Sequence, residues 1–289
     1  MPRLRPLRDP VTVHLDGEPV PAERGEPAAV ALVAAGHVAL ARSPKFHRPR
    51  GPACLRAACD GCLARVDGVP NVMTCRVPAA EGMRIETQNV VGSRDTDLLR
   101  AADWFFPEGM NHHELLAGVP ALQSVMQSLA RRVAGLGRLP DEAAQPAEIP
   151  TARRRAVDAL VVGSGPAGMA SAVALAAEGR SVEVVDDDLR WGGSARALLG
   201  AARPWRPLMQ AFERAVSERR VILRLRTTAA GVYGEDVLVA GEAGVEVVTA
   251  RTRVLATGAH DGVWAFRGND LPGVMSARAA CRLLEAGVA

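Results

Sequence analysis

Four of the five cysteines of this 289-residue chain, Cys54, Cys59, Cys62 and Cys75, stand close together in the sequence, spaced C-x4-C-x2-C-x12-C. Three ligands on one loop and a fourth after a short excursion match the arrangement that holds a [2Fe–2S] cluster. Such a cluster with four thiolates carries a net charge of about −2, and reduction adds one more negative charge, so backbone N–H groups must crowd the sulfurs. Gly51 and Gly61 are expected to permit that approach, with Arg48 and Arg50 adding positive charge nearby. A four-cysteine zinc site is the competing reading. It usually shows two separated C-x2-C pairs, and only Cys59 and Cys62 form one here. Cys281, alone in a helical pattern, reads as a packed core residue.

The elements that must position this loop are legible on both sides of it. Val11–Leu15 alternates like a strand, Asp16-Gly17 turns the chain, and Glu18–Pro21 runs back. Pro27 opens a helix through Ala28–Ala35 that Gly36 stops. Between Cys62 and Cys75, Asp67-Gly68 sits between alternating residues and predicts a hairpin that returns Cys75 beside Cys62. Strand, hairpin, helix, cysteine loop and a last strand over Met83–Thr87 describe a β-grasp, the architecture of plant-type ferredoxins.

A second pattern occupies residues 157 to 186. Val157–Val162 is a buried-strand run, followed by Gly163-Ser164-Gly165-Pro166-Ala167-Gly168 and an alanine-rich helix to about Glu178. Gly163 permits the tight turn, Gly165 lets the backbone approach a pyrophosphate, and Gly168 lets helix and strand pack closely; Pro166 and Ala167 complete the loop. The phosphates are expected on the helix N-terminus. Gly179 ends the helix, Val182–Val185 reads as the next strand, and Asp186 is placed to accept a ribose diol and repel a 2′-phosphate. FAD or NAD is thus favoured over NADP. Gly192-Gly193 follows the acid. Alternating runs over Thr228–Val248 suggest an antiparallel meander, and Arg253–Ala259 reads as a strand entering the Thr257-Gly258 turn.

Composition bounds the rest. With 48% hydrophobic and 23% charged residues the chain is globular. Its net charge of +3 comes from 35 basic residues diluted by 32 acids, all but Lys45 of the former being arginine, and predicts no nucleic-acid footprint. No apolar run is long enough for a membrane span and no signal core follows Met1, so a cytoplasmic chain is expected. In the middle of the chain, Trp104-Phe105-Phe106 is expected to pack one domain on the other. His112 and His113, adjacent on a helical pattern, point too far apart to share a metal ion. His47 reads as a hydrogen-bonded loop histidine. Residues 140–150 look like a proline-punctuated linker, and Arg153–Arg155 like a solvated run.

Two longer segments carry a resemblance. Gly163–Gly168, Asp186, Gly192-Gly193 and Ala256-Thr257-Gly258 together resemble the two-dinucleotide-binding-domain flavoproteins. Arg42–Pro52 and Gly268–Met275 are similar to the alpha subunits of heteromeric sarcosine oxidase and its relatives, including hydrogen cyanide synthase, opine oxidases and hydroxyproline dehydrogenases. The resemblance covers nearly the whole chain. It implies FAD (NAD being the alternative), bound by Gly163, Gly165, Pro166, Ala167, Gly168, Asp186, Gly193, Thr257 and Gly258. It also implies a partner, a beta-type flavoprotein subunit that oxidises the amine. Having all four cysteines, the chain looks more like the dye-linked dehydrogenase and cyanide synthase branch. The family continues beyond Leu271-Pro272-Gly273-Val274 into a second nucleotide-binding unit, whereas this sequence stops at Ala289. The resemblance therefore implies a split or truncated subunit, or a further chain that completes the FAD domain.

The expected fold class is α/β with an α+β N-terminal part: a ferredoxin-like β-grasp domain over 1–90, a helical connector and linker over 91–155, and the first part of a Rossmann-like FAD domain over 156–289. The expected function is an alpha-like electron-transfer subunit of a heteromeric flavin-dependent amine or amino-acid dehydrogenase or oxidase of the sarcosine, proline/hydroxyproline, opine or glycine class. It would relay electrons between flavin and the [2Fe–2S] cluster. Two alternatives stand beside it: an NADH-dependent flavin/iron–sulfur reductase, and a non-catalytic subunit for assembly or electron relay. No residue stands out as acid, base or nucleophile for amine chemistry, so substrate oxidation is expected on the partner.

Overall fold

A computed structural model of the chain describes residues 3–43, 46–105, 119, 122–125, 128, 151–197, 203–262 and 264–289. The chain divides into two compact units. The first comprises Met1–Ala143, Val263–Ala279 and Ala286–Ala289, the second Ala144–Gly262 and Ala280–Glu285. Residues 264–279 group with the cysteine-bearing unit. His112, His113, Phe106 and the 140–150 linker lie outside the described residues.

In the first unit, β1 (Pro10–Leu15) and β2 (Glu18–Glu23) pair antiparallel around Asp16 and Gly17, both with positive φ (50° and 89°). Helix α1 (Ala28–Ala34) buries six of its seven residues, and Gly36 at φ 94° ends it. Short strands β3 (Ala41–Arg42) and β4 (Pro49–Arg50) pair with each other. Strands β5 (Leu63–Val66) and β6 (Val69–Met73) form the hairpin, turned by Asp67 and Gly68 at φ 47° and 84°. Strand β7 (Arg84–Glu86) enters the middle of the sheet, parallel to β1, giving the order β2-β1-β7-β5-β6. Leu15, Leu32 and Ile85, each at most 2% exposed, anchor its core; burying each contributes about 1.5–3 kcal/mol. The next helix, α2 (Ala101–Phe105), leaves Trp104 and Phe105 83% and 77% exposed.

The second unit begins with β8 (Arg153–Val162), then α3 (Pro166–Ala177), β9 (Val182–Val185), α4 (Ser194–Ala197), α5 (Arg206–Ser217) and β10 (Val221–Arg224). A meander of β11 (Thr228–Tyr233), β12 (Asp236–Gly241) and β13 (Gly244–Leu255) follows. The order β10-β9-β8-β13-β12-β11 puts the meander at one edge of the sheet, with β13 itself parallel to β8. Helices α3 and α5 pack on one face against Ala159, Val161, Val182, Val184 and Val221, with Phe212 fully buried. Arg153–Arg155 starts β8, with Arg153 and Arg154 exposed as a solvated run would be and Arg155 partly buried. Arg155 forks onto Glu183 of β9 (2.5 and 2.6 Å) and reaches Glu246 of β13 (3.2 Å), because neighbouring strands present acids at that level. The last helix, α6 (Ala277–Glu285), carries the half-buried Cys281.

Candidate functional site

The cysteine loop runs from Gly51 to Cys62 between β4 and β5. Leu55 and Ala57 both adopt left-handed φ (49° and 59°), unusual for residues with a Cβ, and this winds the loop so that its N–H groups face inward. Arg56 and Ala58 donate N–H groups to Cys54 Sγ at 3.4 and 3.2 Å. The N–H groups of Gly61 and Ala53 favour the thiolate of Cys59, that of Ala57 the thiolate of Cys75, and that of Cys75 the thiolate of Cys62. Backbone N–H groups thus favour negative charge at every sulfur. After the hairpin, Thr74 fastens the return through its N–H (3.1 Å) and hydroxyl (2.9 Å), both donated to the Cys62 carbonyl.

The four thiols fall into two hydrogen-bonded pairs. The Cys59 thiol bond holds Cys54 down to about 6, aided by the Arg56 and Ala58 N–H groups. The same bond, with burial, pushes Cys59 up. Likewise Cys62 holds Cys75 low, and that bond together with burial raises Cys62. Cys54 and Cys59 are half-buried; Cys62 and Cys75 are buried, at 0% and 4% exposure. Among the described residues, no three His, Cys, Asp or Glu groups converge as ligands of one ion. Two pairs, each on its own iron, are what a two-iron cluster asks for. Paired sulfurs with N–H donors fit a [2Fe–2S] group better than a single tetrahedral zinc.

Some neighbours act otherwise than their sequence suggests. A Cβ on Gly61 would lie 1.8 Å from the Gly51 carbonyl oxygen, and one on Gly51 2.4 Å from that of Val38. These two glycines close the neck of the loop backbone to backbone. Arg48 is bound to Asp103 at 2.5 Å and lies 5.2 Å from the Phe46 ring centroid, and Arg50 pairs with Asp270 at 3.0 Å, so both cations are already compensated. His47 is fully buried, at φ 50°, its Nδ1 bonded to Asp97 at 2.9 Å. Its Nε2 has no hydrogen-bond partner among the described residues.

In the second unit the glycine loop stands at the carboxyl ends of β8 and β9. Gly163 has φ 101°, and a Cβ there would meet the Ala256 carbonyl oxygen at 2.4 Å and Thr257 Cα at 3.4 Å. A Cβ on Gly168 would meet the Gly163 oxygen at 1.8 Å, so helix and loop touch here. Gly165, the N-cap of α3, has nothing within 4 Å of its Cβ position: it faces open space at the end of the helix whose first N–H groups are unpaired. Pro166 at the first helical position forfeits no hydrogen bond, and Ala167 is exposed beside it. Gly193 (φ 50°) lies against this opening, its Cβ position 2.9 Å from Gly165 Cα, while Gly258 (φ 74°) has free space around it. The open cradle, approached by Gly163, Gly165, Gly168 and Gly193 among the described residues, fits a pyrophosphate.

Asp186 is bound on both oxygens. Its Oδ2 accepts the Ser164 N–H and hydroxyl, each at 2.6 Å, and its Oδ1 accepts the Asp188 N–H at 2.8 Å. Three of about four carboxylate lone-pair sites are thereby used, leaving one on Oδ1 for a ribose hydroxyl. Ser164, fully buried, was not apparent from the sequence; its place between the two glycines of the loop was the available signal. Nor was the tie of α6 to the acid loop, where Arg282 bonds Asp188 at 2.8 Å.

Comparison with known proteins accords with both halves. Residues 8–90 match the 2Fe-2S iron-sulfur cluster binding domain family and residues 157–285 the pyridine nucleotide-disulphide oxidoreductase family. The chain thus joins a [2Fe–2S]-type domain to a Rossmann-like domain of the FAD-binding kind. Sarcosine oxidase subunit alpha of Rhizobium meliloti is 31% identical over 300 residues, covering 93% of this chain and 30% of that protein. Subunit HcnA of the hydrogen cyanide synthase of Pseudomonas aeruginosa is 37% identical over 87 residues, 30% of this chain and 83% of HcnA. The crystal structure of L-proline dehydrogenase from P. horikoshii superposes over 99% of this chain and 49% of that one, with a TM-score of 0.70 at 23% identity, a likeness of fold. The chain spans under a third of the R. meliloti relative's length. Among the described residues, no helix is long and apolar enough to cross a membrane. With its paired cysteines, its glycine cradle and these relatives, the chain belongs to the oxidoreductase family of sarcosine oxidase subunit alpha and hydrogen cyanide synthase subunit HcnA.

Proposed function

We propose that this chain is the alpha-like electron-transfer subunit of a heteromeric flavin-dependent dehydrogenase or oxidase acting on a secondary amine or amino acid. Cys54 and Cys59 hold one iron of a [2Fe–2S] cluster, Cys62 and Cys75 the other. Gly163, Gly165, Pro166, Ala167 and Gly168 receive the pyrophosphate of FAD, Asp186 takes its ribose, and Gly193, Thr257 and Gly258 line the same cradle. When bound, the flavin exchanges electrons in pairs and the cluster singly, which suits a relay. The chain's own residues bind and orient these groups: backbone N–H groups offset the negative sulfurs, and the α3 N-terminus the phosphates. Amine oxidation belongs to a beta-type flavoprotein partner, in a cytoplasmic assembly where reducing conditions keep the thiols available for iron.

One observation carries this reading: two hydrogen-bonded pairs of cysteines, each sulfur met by an N–H group, in the same chain as a dinucleotide cradle. The test is the visible and paramagnetic resonance spectrum of anaerobically purified chain with iron, sulfide, zinc and flavin quantified. About two irons per chain and a signal on one-electron reduction are expected. Zinc without iron would sink the relay. Bleaching of the cluster by NADH with no partner present would favour the reductase, which the pyridine-nucleotide family match of residues 157–285 keeps in view.

A further inference from the structure

The segment after the nucleotide-binding sequence, Gly268–Ser276, lies on the neck of the cysteine loop. The Ser276 N–H donates to the Ala53 carbonyl at 2.9 Å. A Cβ on Gly51 would meet Pro272 Cα at 3.1 Å and Gly273 N at 3.4 Å. Arg50 reaches Asp270 through both its carboxylate (3.0 Å) and its backbone carbonyl (3.4 Å). These contacts grip successive residues, Arg50, Gly51 and Ala53, just before the first cysteine. Ala53 is the telling member, because it directly precedes Cys54 and its carbonyl is held by Ser276, while its N–H favours negative charge on the Cys59 sulfur.

We propose that Gly268–Ser276 is a positioning clamp for the cysteine loop, with the Ser276 N–H fixing Ala53 so that the Ala53 amide stays aimed at the Cys59 sulfur. The idea rests on the iron–sulfur reading above for its redox consequence. N–H donation to a cluster sulfur favours the reduced, more negative form. Releasing Ala53 therefore makes the cluster harder to reduce and easier to strip. Ser276 also caps α6, its Oγ accepting the Ala279 N–H at 3.2 Å. Ser276→Ala loses only that cap, whereas Ser276→Pro also loses the N–H that holds Ala53.

The experiment compares full-length wild type, Ser276→Ala and Ser276→Pro by three measurements. These are the rate at which a chelator removes iron, the midpoint potential from a redox titration followed by paramagnetic resonance, and hydrogen exchange of residues 51–62 in the metal-free chain. Ser276→Pro is expected to lose iron about tenfold faster, the equivalent of one lost hydrogen bond. Its potential is expected to move negative, and its loop amides to exchange faster. Ser276→Ala is expected to match wild type in all three. Should Ser276→Pro fail to fold, Asp270→Ala/Pro272→Gly, which removes the ion pair and loosens the backbone against Gly51, takes its place with the same expectations. Wild-type iron loss, potential and exchange in the folded variant overturn the clamp, as does a Ser276→Ala equally affected. A wild-type chain that binds no [2Fe–2S] cluster overturns the proposed function instead; the clamp is then decided by loop exchange alone, faster exchange supporting it and unchanged exchange refuting it.

Discussion

The cysteine loop and the glycine loop meet the same electrostatic demand by different routes. Each offers backbone N–H groups to a negatively charged group. The glycine loop does so with a regular element, the N-terminus of α3, so its donors follow from helix geometry, and glycines are needed only where loop, helix and the Ala256 turn touch. The cysteine loop has no helix to supply donors. It holds Leu55 and Ala57 in left-handed conformations, at a cost of order 1–3 kcal/mol each, and depends on outside packing to keep them there. One loop is nearly self-specified; the other is held by segments distant in sequence.

Several measurements would break or sharpen that contrast. The largest effect is expected from Cys62→Ser, which removes a ligand from the fully buried pair. Iron should fall from about two per chain to near zero while flavin content is kept, and iron retained at the wild-type level would refute the ligand assignment. Next come the matched substitutions Gly61→Ala and Gly168→Ala, each placing a methyl 1.8 Å from a carbonyl oxygen. A strain of about 1–3 kcal/mol or more is expected. The first should cost iron and spare flavin, the second the reverse; loss of both groups in either variant would show that the two loops are not independent.

A smaller effect is expected from Asp186→Ala. Loss of charge-assisted bonds worth about 1.5–3 kcal/mol should weaken flavin binding by about tenfold or somewhat more, as measured by fluorescence titration. The smallest concerns the metal-free chain. A thiol lowered to about 6 is mostly thiolate at neutral pH, whereas Cys59 and Cys62 are raised and remain protonated. Alkylation mapped by mass spectrometry should find Cys54 modified ahead of both at pH 7 and slowing as pH drops through 6. A uniform rate among the three would contradict the pairing.

Local signals carried much of this architecture. Asp67-Gly68 announced the hairpin that returns Cys75 to Cys62, because two successive residues of positive φ are what such a turn requires. The strand, glycine loop and helix of the nucleotide unit were equally plain, since their periodicity and turn residues are read within about thirty positions. Features made by long-range contacts were not. Arg155 looked solvated like Arg153 and Arg154 because nothing nearby in sequence reveals that Glu183 and Glu246 lie on the flanking strands. Gly51 and Gly61 were recognised as necessary for the sulfurs, but their close contact with each other was not foreseen.

What the sequence by itself determined is the chemistry available: four thiols at iron–sulfur spacing and a glycine cradle with its acid, because ligand identity, turn geometry and helix ends are local properties. Tertiary structure alone decided that Ser164 takes up Asp186 Oδ2 and that Gly268–Ser276 closes on the neck of the cysteine loop. Those outcomes depend on which distant backbone groups come within about 3 Å of one another, a distance that only the folded chain sets.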